Sequence, residues 1–226
     1  MRTFWSLLLI AALSGCGNEP PTPFSGEPIT PLAPAAPTST QPVENDEPAL
    51  DQTAFCAPDA AGVYRSAPKL VAKSGKNPQG RFSAEGGGCI ERPLADILAV
   101  MQTPAGVKWK KARVDKFDPG TDPLVDWLFT AVYKENIASW TIEWRQKVAQ
   151  GDLVDPQLVH IRYNRTVGQF ITFWEGGIDL QKLTPTVTGV TISNEIQGNF
   201  LAGINTSHAE GGLQDLFNNM KDVPTP

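Results

Sequence analysis

The sequence predicts an α+β protein: an antiparallel sheet with one apolar face, covered by a long C-terminal helix and preceded by a disordered proline-rich tether. Three observations carry that reading. Apolar and polar residues alternate with period two through much of residues 125–196. Near the C-terminus Leu213, Leu216, Phe217 and Met220 repeat at helical spacing. Ahead of both, prolines stand at positions 20, 21, 23, 28, 31, 34, 37, 42 and 48. Strands need period two, helices 3.6, and a packed core tolerates neither that proline density nor so few large apolar residues.

The elements follow in chain order. Arg2 precedes an apolar run, Phe4 to Leu13, which at ten residues is too short to span a ~30 Å hydrocarbon core as a helix. Leu13-Ser14-Gly15-Cys16 comes next and resembles the bacterial lipobox at all four positions. The resemblance implies that residues 1–15 are a removed signal and that Cys16 becomes an acylated mature N-terminus. Stable anchoring takes more than one acyl chain, and lipoproteins of this kind carry three. Gly17 stands where aspartate would signal retention at an inner membrane, so the expected address is the cell envelope, lipid-anchored, at the outer membrane if the host has two.

Residues 16–51 are expected to be the lipidated cysteine and its tether. Proline fixes φ and removes donors, and Phe24, Ile29, Leu32, Val43 and Leu50 are too sparse to offset ordering entropy. Extended at about 3.1 Å per residue, the tether would reach on the order of 100 Å. Its six acids (Glu19, Glu27, Glu44, Asp46, Glu47, Asp51), set against Arg2, account for the whole formal net charge of −5. The remainder is neutral, which excludes the basic excess of a typical nucleic-acid binder.

Residues 52–226 are read as one domain. Leu94, Ile97, Leu98 and Met101 predict a helix that Pro93 opens and Pro104 stops. Strands are expected around 82–90, 125–134, 138–147, 159–163, 169–175 and 189–196. Gly151-Asp152, Gly168 and Gly176-Gly177 read as turns, and Gly86-Gly87-Gly88 as a bulge or a flexible strand edge. Ser207 and Glu210 form the expected capping box of the last helix, with Pro224 beyond its end. Asp215, off the apolar stripe, is expected to be replaceable at little cost.

This order of elements resembles the START-like (SRPBCC), or helix-grip, superfamily over roughly residues 80–222. The strand near Phe82–Ile90, the helix at Arg92-Pro93-Leu94 and the antiparallel run ending in Ile171-Thr172-Phe173-Trp174 and Val190-Thr191-Ile192 before the last helix carry the likeness. It implies a curved sheet wrapped around the C-terminal helix and a space between them able to hold an apolar small molecule or lipid. Trp127, Phe129, Trp140, Trp144, Phe170, Phe173, Leu213 and Phe217 are the candidate lining; a packed core built of the same rings is the alternative.

Other chemistry is sparse. Cys56 and Cys89 are expected to form a disulfide in an oxidising compartment. His160, on the polar side of its strand, and His208, in the first turn of the last helix, are too far apart in the pattern for a metal site. No nucleophile elbow, Walker loop, HExxH or dinucleotide fingerprint occurs, so neither a catalytic site nor a cofactor is expected. Lys108-Trp109-Lys110-Lys111-Ala112-Arg113, with Lys116, reads as a solvated loop or edge strand. Its functional alternative is contact with an anionic envelope polymer or lipid headgroup, Trp109 adding a stacking face.

Overall fold

The computed structural model describes residues 55–66, 70–199 and 202–226. The lipobox, Cys16 and the tether lie outside the described residues. Eight strands and two helices run in the order β1 (Val71–Lys76), β2 (Phe82–Ile90), α1 (Leu94–Met101), β3 (Arg113–Gly120), β4 (Trp127–Glu135), β5 (Ala138–Gly151), β6 (Pro156–Gly168), β7 (Ile171–Thr184), β8 (Val187–Gly198) and α2 (Thr206–Asp222). The strands form one antiparallel sheet in the order β1-β2-β8-β7-β6-β5-β4-β3. Register shifts in β3, β5 and β7 bend the ladder, as bulges do, and give the sheet its curve.

The inner face carries the apolar half of each alternation. Phe129, Tyr133, Trp144, Ile161, Tyr163, Trp174, Ile178, Leu180 and Ile192 are all buried there. Helix α2 lies across β2 and β8 with Leu213, Leu216, Phe217 and Met220 fully buried, as the stripe requires. This is the helix-grip architecture. Burying side chains of this size is worth about 1.5–3 kcal/mol each relative to exposure, which is what fixes the helix to the sheet.

Both ends of α2 are tied. At the N-terminus the cap is Asn205, not Ser207. Its side chain accepts from the Ser207 N–H at 3.0 Å, and His208 Nδ1 reaches back to the Asn205 N–H at 3.3 Å. Asparagine at the position before Thr206 satisfies orphan donors of the first turn two residues earlier than the expected Ser207–Glu210 box. Glu210 turns instead to the hydroxyl of Ser74. At the other end the Arg92 guanidinium donates to the carbonyls of Met220 at 2.9 Å and Val223 at 2.6 Å.

Two glycine readings change. Gly176 and Gly177 lie inside β7, not in a turn. The ring of Tyr163 occupies the place where a Gly176 side chain would stand, and Arg162 packs over Gly177, so these are close-approach glycines. Gly86-Gly87-Gly88 sit in unbroken register between β1 and β8. A Cβ at Gly87 would come within 2.8 Å of the Phe55 Cβ, because the segment entering the domain crosses the outer face there. Cys56 and Cys89 are joined, with Cα atoms 5.0 Å apart, which fastens that segment to β2.

Candidate functional site

The candidate site is the aromatic layer between the inner face of the sheet and α2. Tyr133 comes from β4, Trp140 and Trp144 from β5, Tyr163 from β6 and Trp174 from β7. A sixth ring, Trp109, enters from the loop between α1 and β3. It is only 5% exposed and lies 4.4 Å from Trp174, 4.5 Å from Tyr133 and 5.9 Å from Trp144, centroid to centroid. Trp140 completes a circuit of four rings, 5.9 Å from Tyr133 and 6.0 Å from Trp174.

The Trp109 loop is held down by α2. Asp215 accepts from the Lys110 backbone N–H at 2.7 Å, and the Asn219 amide donates to the carbonyls of Gly106 at 3.0 Å and Lys108 at 2.6 Å. Burial raises the Asp215 carboxyl above its usual pKa, against the lowering effect of the Lys110 N–H and the nearby Lys110 and Lys111 charges. Asp215, off the apolar stripe and expected to be replaceable at little cost, thus holds the loop through one hydrogen bond. The alternative in which Trp109 adds a stacking face for an anionic partner is corrected, since the ring is buried. The lysines around it face solvent while the ring turns inward, because one large apolar residue gains more from the interior than a short loop loses by bending.

The polar atoms of the interior are mostly spent on one another. Trp144 Nε1 donates to Tyr133 Oη at 3.2 Å, and Tyr133 Oη donates to the Val107 carbonyl at 3.0 Å. Asn194 Oδ1 accepts from Trp174 Nε1 at 2.7 Å and from Tyr163 Oη at 3.3 Å, while its amide donates to Ala209 O at 3.3 Å. Burial pushes both phenols, Tyr133 and Tyr163, well above the usual tyrosine range, so they stay protonated. Among the described residues four buried side-chain atoms have no partner: Trp109 Nε1 and Trp140 Nε1 of the ring circuit, and also Arg165 Nε and Thr191 Oγ1. The interior therefore presents ring faces and hydrogen-bond donors.

The expected lining divides on this geometry. Phe129, Trp140, Trp144, Leu213 and Phe217 are buried in the interior, and Trp127 packs partly buried against its rim. Phe170 lies in the bend between β6 and β7, half-buried. Phe173 belongs to the outer face: its partner is Gln197, and the Arg81 guanidinium sits 3.4 Å over its ring. The shift between Ile171 and Phe173 makes Trp174, not Phe173, the inward residue. Trp109, Tyr133, Tyr163 and Trp174 were missing from the expected lining. Alternation carried the signal for Tyr163; the register shift after Ile171 hid Trp174, β4 is apolar on both faces around Tyr133, and nothing local marked Trp109.

Two polar clusters lie elsewhere. On the outer face His160 and Asp179 stand opposite each other across β6 and β7, 2% and 1% exposed, with Nδ1 and Oδ1 2.7 Å apart. Arg162 donates to the same carboxylate oxygen at 2.8 Å. Of the two readings open to His160, solvent-facing or locally bonded, the structure shows the second: it is buried and bonded to Asp179. Lys111, Arg113 and Lys134 line a shallow surface pocket with Glu135 and Asn136, and Asp115 pairs with Lys134 at 2.6 Å and with Arg113 at 3.4 Å. Among the described residues no three His, Cys, Asp or Glu side chains converge as metal ligands, and no helix is long and apolar enough to cross a membrane.

No family model and no curated protein sequence matches this chain. Solved structures do, at low identity. The neighbours are START/Bet v1-like folds. The human StarD13 (DLC2) lipid transfer and protein localization domain is 10% identical, with 72% of this chain and 87% of that one covered and a TM-score of 0.47. Ginseng major latex-like protein 151 from Panax ginseng is 10% identical over 65% and 98%, with a TM-score of 0.40. The Zhui aromatase/cyclase from Streptomyces sp. R1128 is 10% identical over 61% and 85%, with a TM-score of 0.39. Likeness at this level describes the path of the chain and assigns no chemistry.

Proposed function

We propose that this is a lipid-anchored envelope protein whose helix-grip domain holds an apolar small molecule or lipid against its aromatic interior. The lipobox and acidic tether of the sequence support the anchor. The observation that carries the binding role is the ring wall itself: six aromatic residues face one another under α2, and two of their N–H groups are buried without a partner. A core built only for stability satisfies its buried donors, since an unmade hydrogen bond costs about 1–3 kcal/mol. Ligand sites are characteristically apolar, with a few polar groups left to orient what enters.

A second reading, an envelope interaction module with a filled core and no ligand, is favoured by the seating of Trp109, whose ring is 4.4–4.5 Å from two neighbours. One experiment separates the two. Protein purified from its host is analysed by native mass spectrometry and by organic extraction. A stoichiometric adduct that extraction removes and returns supports the binding role. A clean protein mass at every preparation, with an extract free of bound small molecules, leaves the filled-core module.

A further inference from the structure

We infer that the end of the sheet around the β4–β5 turn docks on an anionic lipid surface, the Ile137 side chain entering the interface while Lys111, Arg113 and Lys134 meet headgroup phosphates. The inference concerns the outside of the domain and holds whether or not the interior takes a ligand. It starts from an isoleucine that the fold does not use. Glu135 pairs with Ala138, so β4 and β5 are joined by Asn136 and Ile137 alone. Asn136 takes the left-handed conformation, φ 51°, that a loop this short asks of its first residue and that asparagine tolerates. Ile137 stands at the tip, 86% exposed. A β-branched apolar residue there buries nothing and is not one that the turn favours.

A single exposed apolar residue is ordinary, so its surroundings decide the matter. The pocket lined by Lys111, Arg113, Lys134, Glu135 and Asn136 adjoins the tip. The loop 107–112 that leads into it carries Lys108, Lys110 and Lys111, all exposed, and no acid. Against these cations stand Asp115, which bridges Arg113 and Lys134, Glu135, and the half-buried Asp215, so positive charge is in excess. The opposite end of the sheet supplies the contrast. Val154 is 89% exposed there, with Leu124 and Leu153 exposed beside it. Their turns, 121–126 and 152–155, carry Asp122, Asp126, Asp152 and Asp155 and no lysine or arginine. Apolar tips thus stand at both ends, and only one has the charge that matches phosphate. An apolar side chain ringed by lysine and arginine is the pattern by which proteins lie on anionic bilayers. The lipid anchor proposed above would keep the domain within reach of such a surface, so weak docking suffices.

The test uses the purified full chain as Cys16→Ser, which carries no acyl group, with Ile137→Cys labelled by an environment-sensitive nitrobenzoxadiazole. Cys56 and Cys89 are joined and do not take the label. A second chain carries the same label at Val154→Cys, on the acidic end. Each is titrated with vesicles of phosphatidylcholine alone and of equal parts phosphatidylcholine and phosphatidylglycerol. The label at 137 should brighten and shift to the blue with the anionic vesicles only, and added salt should reverse the change. The label at 154 should stay in water with both. Lys111→Glu with Arg113→Glu, made in the chain labelled at 137, should weaken the titration about tenfold or more, the order expected for losing two basic contacts with an anionic surface. A label at 137 that stays in water with both vesicles, or that shifts equally with both, overturns the inference. So does an anionic-vesicle signal that free glycerol 3-phosphate abolishes, which would mark a site for a soluble anion.

Discussion

Gly211 and Gly212 differ in what a methyl group would meet. Both sit inside α2, where glycine costs about 0.5–1 kcal/mol relative to alanine. At Gly211 a Cβ meets nothing within 4 Å, whereas at Gly212 it meets Asn194 Nδ2 at 3.2 Å and Trp109 Nε1 at 3.4 Å. Gly211→Ala should therefore raise the urea midpoint by roughly that propensity gain, and Gly212→Ala should fail to raise it. Asp179 makes a second residue-scale prediction. Burial pushes its carboxyl up, but the hydrogen bond from His160 and the charge and hydrogen bond of Arg162 outweigh burial and hold it below the usual carboxylate value. A group depressed in the folded state adds stability above its unfolded pKa, about 3.9, and loses it as pH falls through the folded value. Asp179→Asn should thus be less stable than the parent at pH 7, and its loss between pH 7 and pH 3 should be smaller. Equal losses would show that the ion pair does not contribute. Single residues were also where sequence reasoning was weakest. Trp109 sits among lysines and His160 on a polar alternation, and only the long-range fold turns one inward and covers the other.

At the scale of elements, the C-terminal helix was legible because its apolar stripe is dictated by geometry that any neighbour must respect. The strands were legible wherever one face is polar; β1 was not, and β3 only through the edge-strand reading of the basic cluster that includes Arg113 and Lys116. The function of α2 as a clamp was hidden, since it depends on side chains more than 100 residues from their partners: Asp215 on Lys110 and Asn219 on Lys108. Phe217, 0% exposed, should cost about 3–5 kcal/mol as Phe217→Ala, measured by chemical denaturation. Asp215→Ala should cost nearer 1 kcal/mol, the net worth of one hydrogen bond, and should expose Trp109. Faster amide exchange across 107–112 and quenching of one more indole by iodide would report that loosening. An unchanged exchange pattern would mean that Asn219 holds the loop alone.

For the whole molecule, the entry of the chain into the domain is the joint that matters, because the proposed membrane anchor would be linked to the fold through it. Residues 55–66 contain neither strand nor helix. They are held by the Cys56–Cys89 bridge, by the reciprocal bonds of Ser66 with Glu91 at 2.8 Å each, and by the turn around Asp59. The bridge closes a loop of sequence separation 33, for which chain entropy gives a stabilisation of roughly 3–4 kcal/mol. The other contacts are exposed and contribute little on their own. Limited proteolysis without reductant should therefore cut the tether and leave a resistant fragment beginning between Gln52 and Phe55, since unpacked backbone is cleaved first. With reductant the new N-terminus should move to the stretch between Ser66 and Leu70, just ahead of β1, while β2 and α2 stay intact. N-terminal sequencing of the two fragments decides the matter. The same start in both conditions would mean that packing, not the disulfide, joins the tether to the fold.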